Sequence, residues 1–182
     1  MSEQLTSNER MKRFYAGDTI DRVPMLACAT MYAGRIGKLN SNEFYFDIAK
    51  AFHAQKNICE IYGYDDTPCY DLPHGEMLDL GGELLIPESE RMELPCVKCF
   101  AINSIEEAWK YELPPVEKRN FTRKRIEFLK YAKKQGQNGV GISAGSPFTM
   151  IGSMVETSLL MRWLVKEPDI VNHLLKIAVQ YL

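Results

Sequence analysis

The sequence predicts an α/β protein, because short strand-like runs alternate with longer helical segments along the chain. The runs lie at residues 23–28, 67–70 and 140–143, and segments with helical periodicity lie between and after them. The run at 23–28 is wholly apolar, as expected of a buried strand, whereas Pro68 confines the second run or marks its start. Repeated strand–helix alternation is typical of parallel strands.

The first half of the chain contains two predicted helices. Thr6 stands three residues before a glutamate in a capping-box pattern, and Gly17 ends the helix that begins there. Ser41 or Asn42 is expected to cap a long helix, which Gly63 terminates. The apolar positions of this long helix fall on one face: Phe44, Ile48, Ala51, Phe52 and Cys59.

Further helices are predicted in the second half. Ser104 opens a short helix through another capping box, and Pro114 ends it. The next helix closes at Gly136, and Pro147 and Pro168 open the last two, because proline is favoured at the first helical position. The helix before Gly136 carries one apolar stripe: Phe121, Phe128, Leu129 and Ala132.

Residues 83–99 break the alternation and predict an inserted β-hairpin, since two apolar stretches flank a charged turn at residues 88–91. The hairpin contains Cys96 and Cys99, a spacing that can hold zinc or form a redox pair. A zinc ribbon needs a second pair, and the other cysteines are scattered singly. A thioredoxin-like pair lies at a helix N-terminus rather than in a strand. We therefore expect incidental thiols, with a zinc or redox role as the open alternative.

Composition and charge exclude several function classes. The 182 residues have a formal net charge of −2, which gives no case for a nucleic-acid or anionic-membrane partner. No apolar run approaches the roughly 20 residues that span a bilayer, and the polar N-terminus does not resemble a signal peptide. Five cysteines, an odd number with irregular spacing, favour reduced thiols. We therefore expect one soluble, cytoplasmic domain.

The most informative stretch is the small-residue turn at residues 139–149, which joins a short apolar run to a new helix. Small residues let the backbone approach a ligand closely. The pattern Gly-Ser-Pro-Phe-Thr-(x)4-Met-Val-Glu at residues 145–156 resembles the uroporphyrinogen decarboxylase superfamily, which includes the cobalamin-dependent methyltransferases. The resemblance continues through Arg-Trp-Leu at 162–164 and Glu-Pro at 167–168 into His-Leu-Leu at 173–175.

This resemblance implies a (β/α)8 TIM barrel, whose active site lies at the carboxyl ends of the strands. A closed barrel needs eight strands and about 250 residues, which is more than this chain supplies. The apolar repeat of the last helix is still running at Leu182. We therefore interpret residues 1–182 as the N-terminal half of such a barrel domain, with an N-terminal helix and an inserted hairpin, in a chain that is truncated.

The resemblance also implies catalytic residues after the second predicted strand. Asp71 is similar in position to the aspartate of the family's Phe-Ser-Asp motif, which is catalytic in the decarboxylases. A carboxylate at the mouth of a barrel can also accept a proton or stabilise a cation. His74 is within reach of the same mouth as an acid, a base or a ligand. A turn cap at Asp71 and a merely polar His74 are the open alternatives. Arg22 is expected to be structural and to pair with a carboxylate.

The substrate-binding residues are inferred from the same resemblance. The decarboxylases bind substrate carboxylates through both arginines of an Arg-Gln-Ala-Gly-Arg window. Here Arg35 keeps the second arginine and Met31 replaces the first, and a thioether cannot clamp a carboxylate. Ser153 stands where the decarboxylases have a tyrosine that hydrogen-bonds the catalytic aspartate, and Phe148 replaces their tryptophan. The residues expected to bind substrate are Tyr32, Arg35, Ser146, Phe148 and Ser153.

These departures favour a corrinoid-dependent methyltransferase, which moves a methyl group between a small substrate and a corrinoid (cobalamin) cofactor carried on a partner protein. Uroporphyrinogen decarboxylase is the first alternative, and a non-catalytic half-barrel that needs a partner chain is the second. The thiol-methylating members hold zinc through a His-x-Cys pair and a distant cysteine in their second half, and no His-x-Cys occurs here. We therefore expect no metal ligands in this chain, zinc only through the missing C-terminal half, and no activity from this chain alone.

Overall fold

The computed structural model describes residues 4–137, 141 and 145–182, which are mostly helical with one small sheet. The predicted strand at 140–143 lies outside the described residues, apart from Gly141. A 3-10 turn occupies Val116–Lys118, and the strands β1 (Glu83–Leu85) and β2 (Cys96–Cys99) pair in antiparallel fashion. The helices are α1 (Ser7–Ala16), α2 (Thr30–Ile36), α3 (Ser41–Phe46), α4 (Ile48–Tyr62), α5 (Glu76–Asp79), α6 (Ile105–Lys110), α7 (Asn120–Lys134), α8 (Pro147–Met154), α9 (Thr157–Lys166) and α10 (Pro168–Tyr181).

The chain divides into two compact units, each with buried apolar side chains of its own. Unit 1 comprises Met1–Asp71, Glu88–Glu93 and Glu127–Gly141. Unit 2 comprises Leu72–Pro87, Leu94–Ile126 and Ile142–Leu182.

The helices of unit 1 match the predictions only in part. The capping box at Thr6 and the left-handed Gly17 (φ 75°) bound α1 as expected. The predicted long helix is wrong: it is two helices, with Asn40 capping α3 and Asp47 capping α4. The extended backbone of Asp47 ends α3, and its carboxylate accepts the amide three residues later at 3.0 Å, which starts α4. Gly63 (φ 68°) ends α4 as predicted.

The core of unit 1 forms around α4, which packs against α2 and α3. Gly34 of α2 is needed for this packing, because a Cβ atom there would lie 2.9 Å from the ring of Phe44. The ring of Phe128, on the predicted stripe of α7, lies 6.1 Å from that of Phe52 between centroids. The buried apolar side chains of α3 and α4 are Phe44, Tyr45, Ala51, Phe52, Ala54 and Ile58.

Residues 23–28 and 67–70 do not form strands, so the predicted core strands are wrong at both places. The carbonyl of Met25 accepts the amide of Asp65 at 2.8 Å, but the Met25 amide donates to the Asp65 carboxylate. The amides of Ala27 and Cys28 donate to the carboxylate of Asp66. Side-chain carboxylates therefore take the place of the carbonyls that a β-ladder would use.

The apolar character of residues 23–28 also does not produce burial. Val23 is 77% exposed, Met25 54% and Leu26 53%. A wholly apolar run predicts a buried strand only when elements cover both of its faces. Within the part of the chain that the structure describes, this segment keeps large apolar side chains in solvent.

Three helices of unit 2 begin where the sequence predicts, whereas α5 and α9 were not predicted. Ser104 caps α6, and Pro147 and Pro168 stand in the first turns of α8 and α10. Helix α10 packs against α6, α8 and α9. An isolated parallel bridge between Ile102 and Val155 was not predicted. The fully buried side chains of this core include Leu80, Ile102, Ile151, Met154, Leu160, Ile170 and Leu174.

The inserted hairpin is confirmed, and its register is irregular. Leu85 pairs with Cys96 and Leu84 with Val97, but Glu83 pairs with Cys99. Lys98 is therefore an extra residue on the second strand, and the pair contains a β-bulge.

A buried ion network fastens α1 to the rest of unit 1. Arg10 is 2% exposed, and its Nε and Nη2 each donate to the carboxylate of Asp21 at 2.7 Å. Its Nη1 donates to the fully buried Asp65 at 2.5 Å. Arg22 donates to the same carboxylate at 2.6 Å, so its predicted structural pairing is confirmed.

The network favours ionised carboxylates. The hydrogen bonds from Arg10 hold the pKa of Asp21 well below its usual value. Burial by itself raises the pKa of Asp65, but hydrogen bonds from the Met25 amide and from Arg22, with smaller contributions from Ser7 and Arg10, lower it overall.

Removing Asp65 is expected to destabilise the protein strongly. Asp65→Ala leaves two guanidinium groups without their shared carboxylate, one of them buried, and breaking such a pair costs about 3 kcal/mol. Urea unfolding measures the loss. Asp18→Ala, an aspartate just after α1, is the matched control and should change stability by less than about 0.5 kcal/mol. Equal effects of the two substitutions would contradict the account of the network.

Stability should also fall in acid. Both carboxyl pKa values are lowered in the folded protein, so their stabilisation is present above the unfolded-state pKa of about 4 and is lost as the pH falls below it. The midpoint of thermal unfolding, measured from pH 7 to pH 3, should drop less steeply below pH 4 in Asp21→Asn than in the wild type. Parallel curves for the two proteins would show that Asp21 does not carry the effect.

Candidate functional site

Asp71 closes segment 64–71 and lies beside the start of α2. The hydroxyl of Thr30, the first residue of α2, donates to Oδ2 of Asp71 at 2.9 Å. Asp71 is exposed, and Oδ1 has no hydrogen-bond partner among the described residues. One oxygen is therefore oriented by the protein while the other is open to a ligand.

Neutral groups surround this carboxylate. Burial, and secondarily the charge of Asp71, raise the pKa of the Tyr45 phenol well above its usual range. Burial also raises the pKa of the Cys69 thiol to about 11, with smaller contributions from Asp71 and Cys28. Both groups are therefore protonated at neutral pH.

A buried amide positions the backbone next to Asp71. The Nε2 of Gln55 donates to the carbonyl of Cys69 at 2.9 Å, and Oε1 accepts the Cys69 amide at 3.0 Å. Gln55 is 5% exposed and thus serves segment 64–71 as a strand neighbour would. Opposite it, Cys28 has φ 48°, an unusual value for a residue other than glycine, at the point where segment 23–28 turns into α2.

Two further predicted residues, Tyr32 and Arg35, lie on α2. Tyr32 is 46% exposed, and its hydroxyl lies 3.2 Å from that of Tyr62. Arg35 is exposed and forms no ion pair with the residues that the structure describes. Tyr32 and Arg35 are three residues apart and share one helix face. Arg35 is thus an available cation in unit 1.

His74, the predicted partner of Asp71, belongs to unit 2. It is exposed, and its φ of 59° places a residue other than glycine in the left-handed region. The turn at His74 is held in place by the packing of the next residue, Gly75, against Phe121. A Cβ atom at Gly75 would lie only 2.2 Å from the Phe121 ring. The His74 side chain has no hydrogen bond to the described part of the chain.

Of the three predicted residues in and before α8, Ser146 and Ser153 both hydrogen-bond to Thr149. Ser146 caps the helix by accepting the amide of Thr149 at 3.1 Å, and the two hydroxyls lie 2.9 Å apart. The hydroxyl of Ser153 donates to the Thr149 carbonyl at 3.4 Å. Phe148 is 43% exposed. Ser146 therefore has a structural role in the cap, and Phe148 is free to meet a ligand.

The structure thus groups the predicted residues within each unit. Thr30, Tyr62 and Thr149 contact them and were not predicted. Thr30 had a usable signal, because a threonine two residues before Tyr32 and five before Arg35 is a plausible helix start once segment 23–28 ends. Tyr62 had none, since its contact with Tyr32 joins two helices. Asp66 was also missed, because its hydrogen bonds go to the amides of Ala27 and Cys28, which lie far away in the sequence.

The profile of the uroporphyrinogen decarboxylase (URO-D) family matches residues 6–182. The chain belongs to this family. A solved structure described as a methyltransferase from Methanosarcina mazei matches with a TM-score of 0.61 and 19% sequence identity, over 97% of this chain and 53% of that one. At this level of sequence identity, the similarity between the two chains shows the fold alone. No curated protein matches the sequence.

This URO-D family chain therefore spans about half the length of the methyltransferase that it resembles. Among its described residues, no group of three or more His, Cys, Asp or Glu side chains could hold a metal ion. The described helices are all too short or too polar to cross a membrane.

The role of Ser146 can be separated from that of a ligand contact. Ser146→Ala removes the cap of α8 and should cost about 1 kcal/mol, whereas Ser146→Asp keeps a cap and should retain most of the stability. Urea unfolding of both variants checks this. If Ser146→Asp is as unstable as Ser146→Ala, the hydroxyl does something other than cap the helix.

Proposed function

We propose that the protein is a corrinoid-dependent methyltransferase of the URO-D family, and that Asp71 is its principal acid–base group. The observation that carries this proposal is the Thr30–Asp71 pair, in which one carboxylate oxygen is held and the other is open. Within the family, Met31 and Ser153 remove two side chains that the decarboxylase reaction uses, as the sequence resemblance implies. The methyltransferase fold neighbour is compatible with this choice.

The proposed chemistry of the residues is simple. When a methyl group leaves an oxygen or nitrogen atom, that atom keeps the bonding electrons and must gain a proton. We assign that proton exchange to Asp71, whose carboxylate accepts a hydrogen bond from the hydroxyl of Thr30. In unit 1, Tyr32 and Arg35 on α2 are the proposed substrate contacts. In unit 2, the family resemblance assigns substrate binding to Phe148 and makes His74 a second candidate acid or base.

The proposed cofactor is a corrinoid on a partner protein, which would accept or supply the methyl group. The described residues form no cluster of three metal ligands. No step above therefore depends on a metal or a cofactor held by this chain. Any zinc would be held by the C-terminal half of the barrel, which we propose as a further partner. Five free cysteines favour a cytoplasmic protein.

Uroporphyrinogen decarboxylation is the second candidate. Arg35 keeps one of the two carboxylate-binding arginines of that reaction, and it is exposed without an ion pair to the described residues. An open arginine on the same helix as Thr30 suits an anionic substrate. Met31 opposes it.

A half-barrel without activity of its own is the third candidate. Val23, Met25 and Leu26 expose apolar side chains on one segment, and contiguous exposed apolar side chains mark surfaces that another chain can cover. We infer that this segment is covered when the other half of the barrel is present and that the 182-residue chain alone is inactive.

The experiment uses the full gene product with cob(I)alamin and, in turn, methanol, methylamine and methoxybenzoate, and follows methylcobalamin by absorbance. Asp71→Asn should lower the rate about 100-fold, since general acid–base groups contribute that much or more. Asp18→Asn is the control and should be fully active. Turnover of uroporphyrinogen instead would establish the second candidate, and full activity of Asp71→Asn would refute the role of Asp71.

A further inference from the structure

The bulge in the hairpin determines where its two thiols point. Side chains of a regular strand alternate between faces, so residues three apart lie on opposite faces. Here Cys96 pairs with Leu85 and Cys99 with Glu83, and those two partners are two residues apart on β1. Because the extra residue Lys98 restores the alternation, Cys96 and Cys99 lie on the same face of the hairpin.

Exposure supports the same assignment. On β1, Glu83 and Leu85 are exposed and Leu84 is half-buried; on β2, Val97 is half-buried. Cys96 and Cys99 are exposed, and both are free thiols. The hairpin thus presents two thiols on its solvent face.

The spacing separates two possible chemistries. Same-face neighbours in a regular strand are about 6.6 Å apart between Cα atoms, and the extra bulge residue puts a third residue step between Cys96 and Cys99. A disulfide requires Cα atoms no more than about 7 Å apart. A bridging metal ion adds two bonds of about 2.3 Å between the sulfur atoms, which suits the wider separation.

The charges around the thiols are balanced. Lys98 pairs with Glu83 at 2.8 Å on the same face. The ammonium group therefore lies near the thiols without being left as an unpaired cation that would repel a metal.

We propose that Cys96 and Cys99 form a two-thiolate site for a soft monovalent cation, with Cu(I) as the cation that this ligand set suits best. Thiolates select soft ions, and Cu(I) accepts two ligands in a line. Each thiol gives up one proton when the ion binds, so one Cu(I) is bound, two protons are released, and no redox change occurs. The site is independent of the methyl-transfer proposal.

The test titrates the protein anaerobically with Cu(I) against a chromophoric chelator. The wild type should bind one equivalent, and Cys96→Ser or Cys99→Ser should each weaken binding about 100-fold, because the advantage of a second tethered ligand is lost. Cys59→Ser, which removes a thiol of unit 1, is the matched control and should bind as the wild type does.

Two results would overturn the proposal. Unchanged affinity in both hairpin variants would place the copper elsewhere. A mass loss of two hydrogens in the wild type after mild oxidation, mapped to a peptide linking Cys96 with Cys99, would show that the thiols are close enough for a disulfide. Circular dichroism of each variant shows whether lost binding reflects lost folding.

Discussion

The carboxylate of Asp65 is the group on which the arrangement of unit 1 depends. It is fully buried and accepts hydrogen bonds from Arg10 in α1, from Arg22 and from the Met25 amide. One anion thereby joins the N-terminal helix, segment 23–28 and segment 64–71. Burying such a group is unfavourable unless every partner is present, so the network specifies one arrangement of these three elements. Asp21 contributes to the same network by accepting two further hydrogen bonds from Arg10.

The candidate site is positioned in the same way, by the carboxylate of the next residue, Asp66. Asp66 holds the amides of Ala27 and Cys28 on one side, and Gln55 holds the backbone of Cys69 on the other. Segment 23–28 therefore delivers Thr30 to a fixed place, and segment 64–71 delivers Asp71 opposite it. These side chains hydrogen-bond the backbone as neighbouring strands would in a β-ladder, and the position of the site depends on those hydrogen bonds.

The sequence predicted those elements whose signals are local. The capping boxes, the glycines after helices, the prolines at helix starts and the charged turn of the hairpin each act within a few residues, and α1, α6, α8, α10 and the hairpin are where those signals put them. Asp47 was overlooked because an aspartate inside an apolar pattern can be either a surface residue or a cap. The predicted strands at 23–28 and 67–70 are wrong because carboxylates and an amide side chain take the hydrogen bonds that a ladder would need, and a local pattern does not show such contacts. Asp71 was predicted through family resemblance, whereas its partner Thr30 depends on a contact between residues 41 positions apart.

Amide hydrogen exchange on the 182-residue chain tests the central claim, that carboxylates rather than a ladder hold segment 23–28. The account predicts protected amides at Met25, Ala27 and Cys28 and rapid exchange at Leu26, whose amide has no partner among the described residues. Asp66→Ala should release Ala27 and Cys28 while Met25 stays protected. Uniform protection of all four amides, or no response to Asp66→Ala, would contradict it.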